Sequence, residues 1–167
     1  MNKFVMKSMI IKGLVPAGII ISLICACNTK KEEPAAAVVD KEEIKKEIQA
    51  KEDEFAATYN AGELKNIGYY ADDATVFYQN RAPLAGRQAI VDFLKSDLDS
   101  NTNKITFTTK EVFPSNDGNQ VLEVGYFKVV DSANVPINSG NYMVMFQKRD
   151  GKYYSVREMS ASDGATQ

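Results

Sequence analysis

The chain has 167 residues, room for one domain and not comfortably two, and its 44% apolar content suffices for an ordinary core. A formal charge of −2, with no stripe of Lys and Arg, excludes the phosphate-neutralising surface that nucleic-acid binding needs. There is no His and no Trp, and the only cysteines, Cys25 and Cys27, precede the folded part. A His-based proton shuttle, a disulfide framework, a zinc site and a thiol nucleophile are thereby excluded from the domain, and no cofactor is expected.

The first segment reads as an address. Lys3, Lys7 and Lys12 form a basic start, and the uncharged apolar run Gly13 to Ala26 follows. That run is too short to cross a hydrocarbon core of ~30 Å as a helix and suits the centre of a signal peptide. It ends Leu23-Ile24-Cys25-Ala26-Cys27, which resembles the lipobox of bacterial lipoproteins, with Ile24 as the aliphatic residue and Ala26 as the small one before the cysteine. The resemblance implies a signal peptide over 1–26, removed with its three lysines, and lipid (palmitate) on Cys27. Cys25 is the poorer candidate, because bulky Ile24 precedes it. An ordinary secretory signal and an uncleaved anchor are the other readings of the segment. Residues 27–39 read as a tether, polar and then rich in alanine after Pro34. Asn28 is not the aspartate that retains some lipoproteins in the inner membrane, so the outer membrane of a Gram-negative bacterium is expected. Lys31-Glu32-Glu33 resembles a surface-export tag and equally reads as a solvated linker, which leaves the periplasmic face and the cell surface both open.

Asp40 to Asn60 predicts a long helix, capped by Asp40 with Glu43 at capping-box spacing. Ile44, Ile48, Phe55 and Tyr59 fall on one face, and Ala61-Gly62 ends it. A second short helix is expected over Glu63 to Tyr70, with Leu64 and Ile67 inward. Asp72-Asp73 then turns the chain into a short strand, Ala74 to Tyr78. After the loop at Pro83, Gly86 precedes a third helix reaching about Leu98, with Ile90, Phe93, Leu94 and Leu98 as its stripe. From Lys104 the period changes to two. Strands are expected over Lys104 to Phe113, Gln120 to Val130, Asn138 to Lys148 and Lys152 to Ser160, joined at Asn116-Asp117-Gly118 and at the Asp150-Gly151 hairpin signal. Three helices and four antiparallel strands make an α+β domain over 40–163, with 164–167 as a tail.

Asn60-Ala-Gly-Glu-Leu64, Tyr70-Ala-Asp-Asp-Ala-Thr-Val76, Leu84-Ala-Gly-Arg87-Gln-Ala-Ile90 and the ending Gly140 to Tyr153 together resemble the nuclear transport factor 2-like superfamily. The likeness is to its SnoaL-like and ketosteroid-isomerase-like branch and spans about residues 42–162. It implies a cystatin-like cone, a curved antiparallel sheet wrapped round the first helix with a pocket at the open end, and a homodimer formed through the outer face of the sheet. A ketosteroid isomerase of this shape needs a carboxylate base, a tyrosine and a protonated aspartate. Aligned through the Ala-Asp-Asp-Ala-Thr block, those roles fall on Tyr78, on Phe55 and near Ser139 to Asn141, and none is filled. Dehydratase relatives use a His-Asp pair, which a chain without His cannot supply.

Several side chains carry two readings. Asp72 and Asp73 suggest a metal site or, more simply, turn chemistry, and no metal is expected. Tyr59, Tyr69, Tyr70 and Tyr78 either line an aromatic pocket or fill the core with hydroxyls at the rim. Alternation along the last strand turns one of Arg157 and Glu158 inward, and the alignment to the family implies that it is Glu158. Glu158 then either reads a ligand or pairs with Arg81 or Arg87, and Glu123 is the other inward acid of the sheet. Met143, Met145 and Met159 read as sheet packing. The expected ligand site is Phe55, Tyr59, Tyr70, Tyr78 and Glu158, with no catalytic residue. The whole reads as a membrane-anchored binding or accessory module for a small hydrophobic or amphipathic ligand or a protein partner. The alternatives are a small isomerase- or hydrolase-like enzyme acting on a hydrophobic ketone or enol, and an interaction protein with a filled cone.

Overall fold

A computed structural model describes residues 39–164. The signal segment, Cys27 and nearly all of the tether, with residues 165–167 of the tail, lie outside the described residues.

Helix α1 runs Lys41–Asn60, and the Asp40 carboxylate accepts from the backbone N–H of Glu42 and Glu43 at 3.0 and 3.1 Å, satisfying two donors of the first turn. Its buried stripe is Ile44, Ile48, Glu52, Phe55, Ala56 and Tyr59, so one acid sits inside an apolar face. The chain then makes a single 3-10 turn, Leu64–Asn66, and not the helix expected over Glu63 to Tyr70. Leu64 and Ile67 are buried as expected, but the run stops at Ile67, whose backbone is already extended, and Tyr69 and Tyr70 are drawn into the core.

Strand β1 spans Tyr70–Phe77, longer than expected, and Asp72-Asp73 lie within it. From Tyr70 to Thr75 it runs opposite only Ser155 to Arg157 of the last strand. This bulge turns both aspartates out to solvent. There Asp72 pairs with Arg87 at 3.0 Å, and Asp73 takes Arg149 through two hydrogen bonds of 2.8 and 3.1 Å. They form neither a turn nor a metal site. A two-residue strand β2, Leu84–Ala85, precedes helix α2, Arg87–Ser100. Ile90, Val91 and Leu94 are its buried residues, with Phe93 and Leu98 packed against the core.

The long strands β3 (Lys104–Pro114), β4 (Gln120–Val130), β5 (Pro136–Arg149) and β6 (Lys152–Ser162) fall where the alternation placed them. The sheet has six strands in the order β2-β1-β6-β5-β4-β3. Five strands were expected, all antiparallel; the added parallel β1–β6 pair makes the sheet mixed. Its inner face packs on α1 and α2 around an aromatic core in which Phe55 meets Tyr69 at 4.8 Å and Tyr70 at 5.8 Å between ring centres. The outer face carries Met143, Met145 and Met159, exposed to 45, 40 and 57%. These methionines do not pack inside the sheet, as was expected. Strict alternation along β5 sends Tyr142, Val144 and Phe146 inward and the methionines outward. No helix among the described residues is long and apolar enough to cross a membrane.

Candidate functional site: an aromatic cavity with an inward carboxyl

A cavity of about 390 Å³ opens between the helices and the inner face of the sheet. Its aromatic lining comes from every layer: Phe55 and Tyr59 from α1, Tyr78 beyond β1, Phe93 from α2, Phe107 from β3, Phe127 from β4 and Tyr142 from β5. Two glycines make this possible. Gly125 sits opposite Tyr142, and a Cβ there would lie 2.5 Å from the Tyr142 phenol; a Cβ on Gly140 would lie 2.6 Å from the Phe127 ring. The rings occupy space that any other residue at those positions would fill.

Two acids line the same cavity, Glu158 from β6 and Asp97 from α2. Asp97 accepts the Tyr59 hydroxyl proton, and this pairing with burial holds the Tyr59 phenol well above its usual range. Glu158 accepts from the Tyr70 hydroxyl at 3.1 Å. Burial pushes its carboxyl up to about 7, which the Tyr70 bond opposes and nearby Glu123 reinforces. Burial, with Glu158 nearby, also raises the Tyr78 phenol. Among the described residues that phenol has no hydrogen-bond partner, and it faces the cavity.

Behind the wall lies a second acidic system. Glu52 and Glu123 are 1 and 0% exposed, and their carboxyls act on each other. Burial raises both above the usual carboxylate range, and Glu123 raises Glu52 further. Glu123 Oε1 further accepts from Thr109 at 2.6 Å and from Tyr142 at 2.9 Å, while Tyr69 donates to Glu52 Oε1 at 2.5 Å. Glu123 Oε2 is buried without a hydrogen-bond donor among the described residues. The pair does not face the cavity. It fixes Tyr142, which does.

Of the expected site residues, Phe55, Tyr59, Tyr78 and Glu158 line the cavity together. Tyr70 does not; it is 1% exposed and stands behind Glu158 as its hydrogen-bond donor. Glu158 faces in and Arg157 out, as expected. Glu158 pairs with neither arginine. Arg87 is held by Asp72 and by the Tyr70 carbonyl, and Arg81 lies over the Phe93 ring, 4.1 Å from its centre. The cone is not filled, which removes the third reading. Glu52 and Asp97 escaped the sequence reading. Glu52 had left a signal: it is the one acid on the Ile44-Ile48-Phe55-Tyr59 face. Among the described residues no group of three or more His, Cys, Asp or Glu is arranged to hold a metal.

No protein-family model matches the sequence, and no curated protein matches it. Solved structures do match the fold. A nuclear transport factor 2-like protein with a cystatin-like fold from Novosphingobium aromaticivorans superposes with a TM-score of 0.64 at 14% identity, covering 74% of this chain and 84% of that one. A cystatin-like protein of unknown function from Nostoc punctiforme gives 0.62 at 15% identity, covering 72% and 92%. A ketosteroid isomerase-like protein from Erwinia carotovora atroseptica gives 0.58 at 13% identity, covering 73% and 98%. The domain therefore has the cystatin-like, nuclear transport factor 2-like α+β fold. Identities this low speak for the fold alone.

Proposed function

We propose that the chain is a membrane-anchored module, tethered through lipid on Cys27 at the outer membrane, whose domain binds a small, partly apolar molecule in the aromatic cavity with Glu158 as its polar anchor. One observation carries this reading. A cavity of about 390 Å³, of the size that small-molecule sites have, is walled by aromatic rings and holds an acid, Glu158, with which no cation pairs among the described residues. A hydrophobic fluorescent probe titrated into the protein tests it. Binding is expected, and Tyr78→Ala should weaken it by about 1–2 kcal/mol through the lost ring contact. An affinity unchanged by Tyr78→Ala refutes the placement of the ligand against that wall. The outer methionine face supports a homodimer, as the fold resemblance implies.

A second reading is proton transfer at carbon. It is favoured by a base near neutrality, Glu158, sharing one cavity with an unengaged phenol, Tyr78. The resemblance puts the base position on Tyr78, whereas here the carboxyl rises from β6. Exchange of the α-protons of a cyclic β,γ-unsaturated ketone, followed by NMR in D2O, measures this directly. Under this reading exchange is catalysed and is lost in Glu158→Gln. Exchange no faster than with free carboxylate leaves only the binding function.

A further inference from the structure

We propose that the molecule the cavity takes is an organic cation, a protonated or quaternary amine on an apolar body, held by the ring faces and by the carboxylates of Glu158 and Asp97. The proposal rests on the cavity being a ligand site and adds the charge of its occupant.

Three observations lead there. First, among the described residues no cation forms an ion pair with the acids in the cavity. Asp97 is engaged by a phenol and Glu158 by another, and no Lys or Arg is among the groups that act on Glu158. Behind the wall, Glu52 and Glu123 are buried acids with no cation among the groups acting on either. A neutral ligand would shut these carboxylates away from water unpaired, and an anion would be repelled; a cation removes the penalty. Second, aromatic faces attract cations through their quadrupole, and rings surround this cavity from α1, α2 and the sheet. Third, the rim already holds one cation in this way. The Arg81 guanidinium lies 4.1 Å from the centre of the Phe93 ring and 6.0 Å from that of Tyr78, and no acid pairs with it among the described residues. Arg81 is exposed and the only cationic side chain of the lining, so an incoming amine meets two rings that a guanidinium has already shown to be suitable.

The test is a matched series of probes with one apolar body: 1-naphthylmethylamine, 1-naphthylmethanol and 1-naphthoate, titrated into the purified protein by calorimetry at pH 8. The amine is expected to bind about tenfold or more tightly than the alcohol, as a desolvated cation–π contact and a charge-assisted hydrogen bond imply, with the naphthoate weakest. Glu158→Gln should erase most of the preference for the amine, with cooperative urea unfolding of the variant showing that it folds. An alcohol or naphthoate that binds as tightly as the amine overturns the cation proposal and leaves the binding function standing. If none of the three binds, both fall. A folded Glu158→Gln variant that keeps the full preference for the amine overturns the role given to Glu158.

Discussion

Replacing Glu158 by Gln should stabilise the protein above neutral pH, and the size of the gain can be worked out in advance. The folded carboxyl titrates at about 7 against an ordinary 4.5. The fold therefore binds that proton more tightly than the unfolded chain does. Below about pH 4.5 the group is neutral in both states and costs nothing. As pH rises towards 7 the unfolded chain releases the proton more readily, so stability falls, and above 7 the deficit is constant. At about 1.4 kcal/mol per decade the deficit reaches about 3 kcal/mol, which solvent in the open cavity reduces to an expected 1–2 kcal/mol. Gln is nearly isosteric, keeps an acceptor for the Tyr70 hydroxyl at 3.1 Å, and has no charge to desolvate. Wild type and variant should thus be nearly equal in urea unfolding at pH 4.5 and separate progressively up to pH 8, with the variant the more stable. The Glu52–Glu123 pair is present in both proteins and cancels to first order. Asp73 and Asp117, whose carboxyls are held low by Arg149 and by Ser115 and Asn119, titrate below this window. A difference that stays flat from pH 4.5 to 8 would refute the assignment of Glu158 as a desolvated carboxyl.

Three further outcomes are expected. Gly125→Ala should cost about 1–3 kcal/mol of stability and weaken probe binding, because its Cβ falls 2.5 Å from the Tyr142 phenol; denaturant melts and probe titration read both. Met143→Lys should shift the protein from dimer to monomer in sedimentation, since Met143 lies opposite Met159 on the exposed outer face of the sheet; a wild type that sediments as a monomer ends the dimer proposal. Cys27→Ser should abolish palmitate labelling and release the protein from the membrane fraction, whereas Cys25→Ser should change neither.

How far the sequence led depended on how local the deciding physics was. The four long strands were legible because one face of each is buried, which imposes a strict period of two, clearest in Tyr142-Met143-Val144-Met145-Phe146. Tyr69 and Tyr70 were not. Glu63 to Tyr70 has helical spacing, but the rings gain more by packing on Phe55 than a two-turn helix gains by forming. Asp72-Asp73 has turn chemistry, and the strand overrides it by bulging, with Arg87 and Arg149 holding the two acids outside. Glu158 was placed inward by alternation together with the family alignment. Its neighbour could not be, because the Tyr70 donor comes from a strand whose parallel pairing with β6 no local pattern announces. Glu52 was visible as an acid on an apolar stripe, yet its meaning depends on Glu123, which meets it only in the folded core.

The three inward glutamates show how surroundings assign one side-chain type to different work. Glu52 and Glu123 are held by hydrogen bonds from Tyr69, Thr109 and Tyr142. Such a buried network has nothing to offer a ligand, and breaking it would strand a charge in the core, so its consequence is to hold the Tyr142 wall rigid. Glu158 has one protein donor and faces an open space. A carboxylate has about four acceptor sites, so most of its capacity is unspent. Filling that capacity with water would be simplest, yet the rings beside it make the cavity apolar and push the carboxyl towards its neutral form. A ligand that brings an N–H donor or a positive charge reverses that push by holding Glu158 ionised. Affinity for such a ligand should then fall as pH drops through 7 and Glu158 takes up its proton, while a neutral ligand of the same shape should bind at least as tightly at pH 6 as at pH 8.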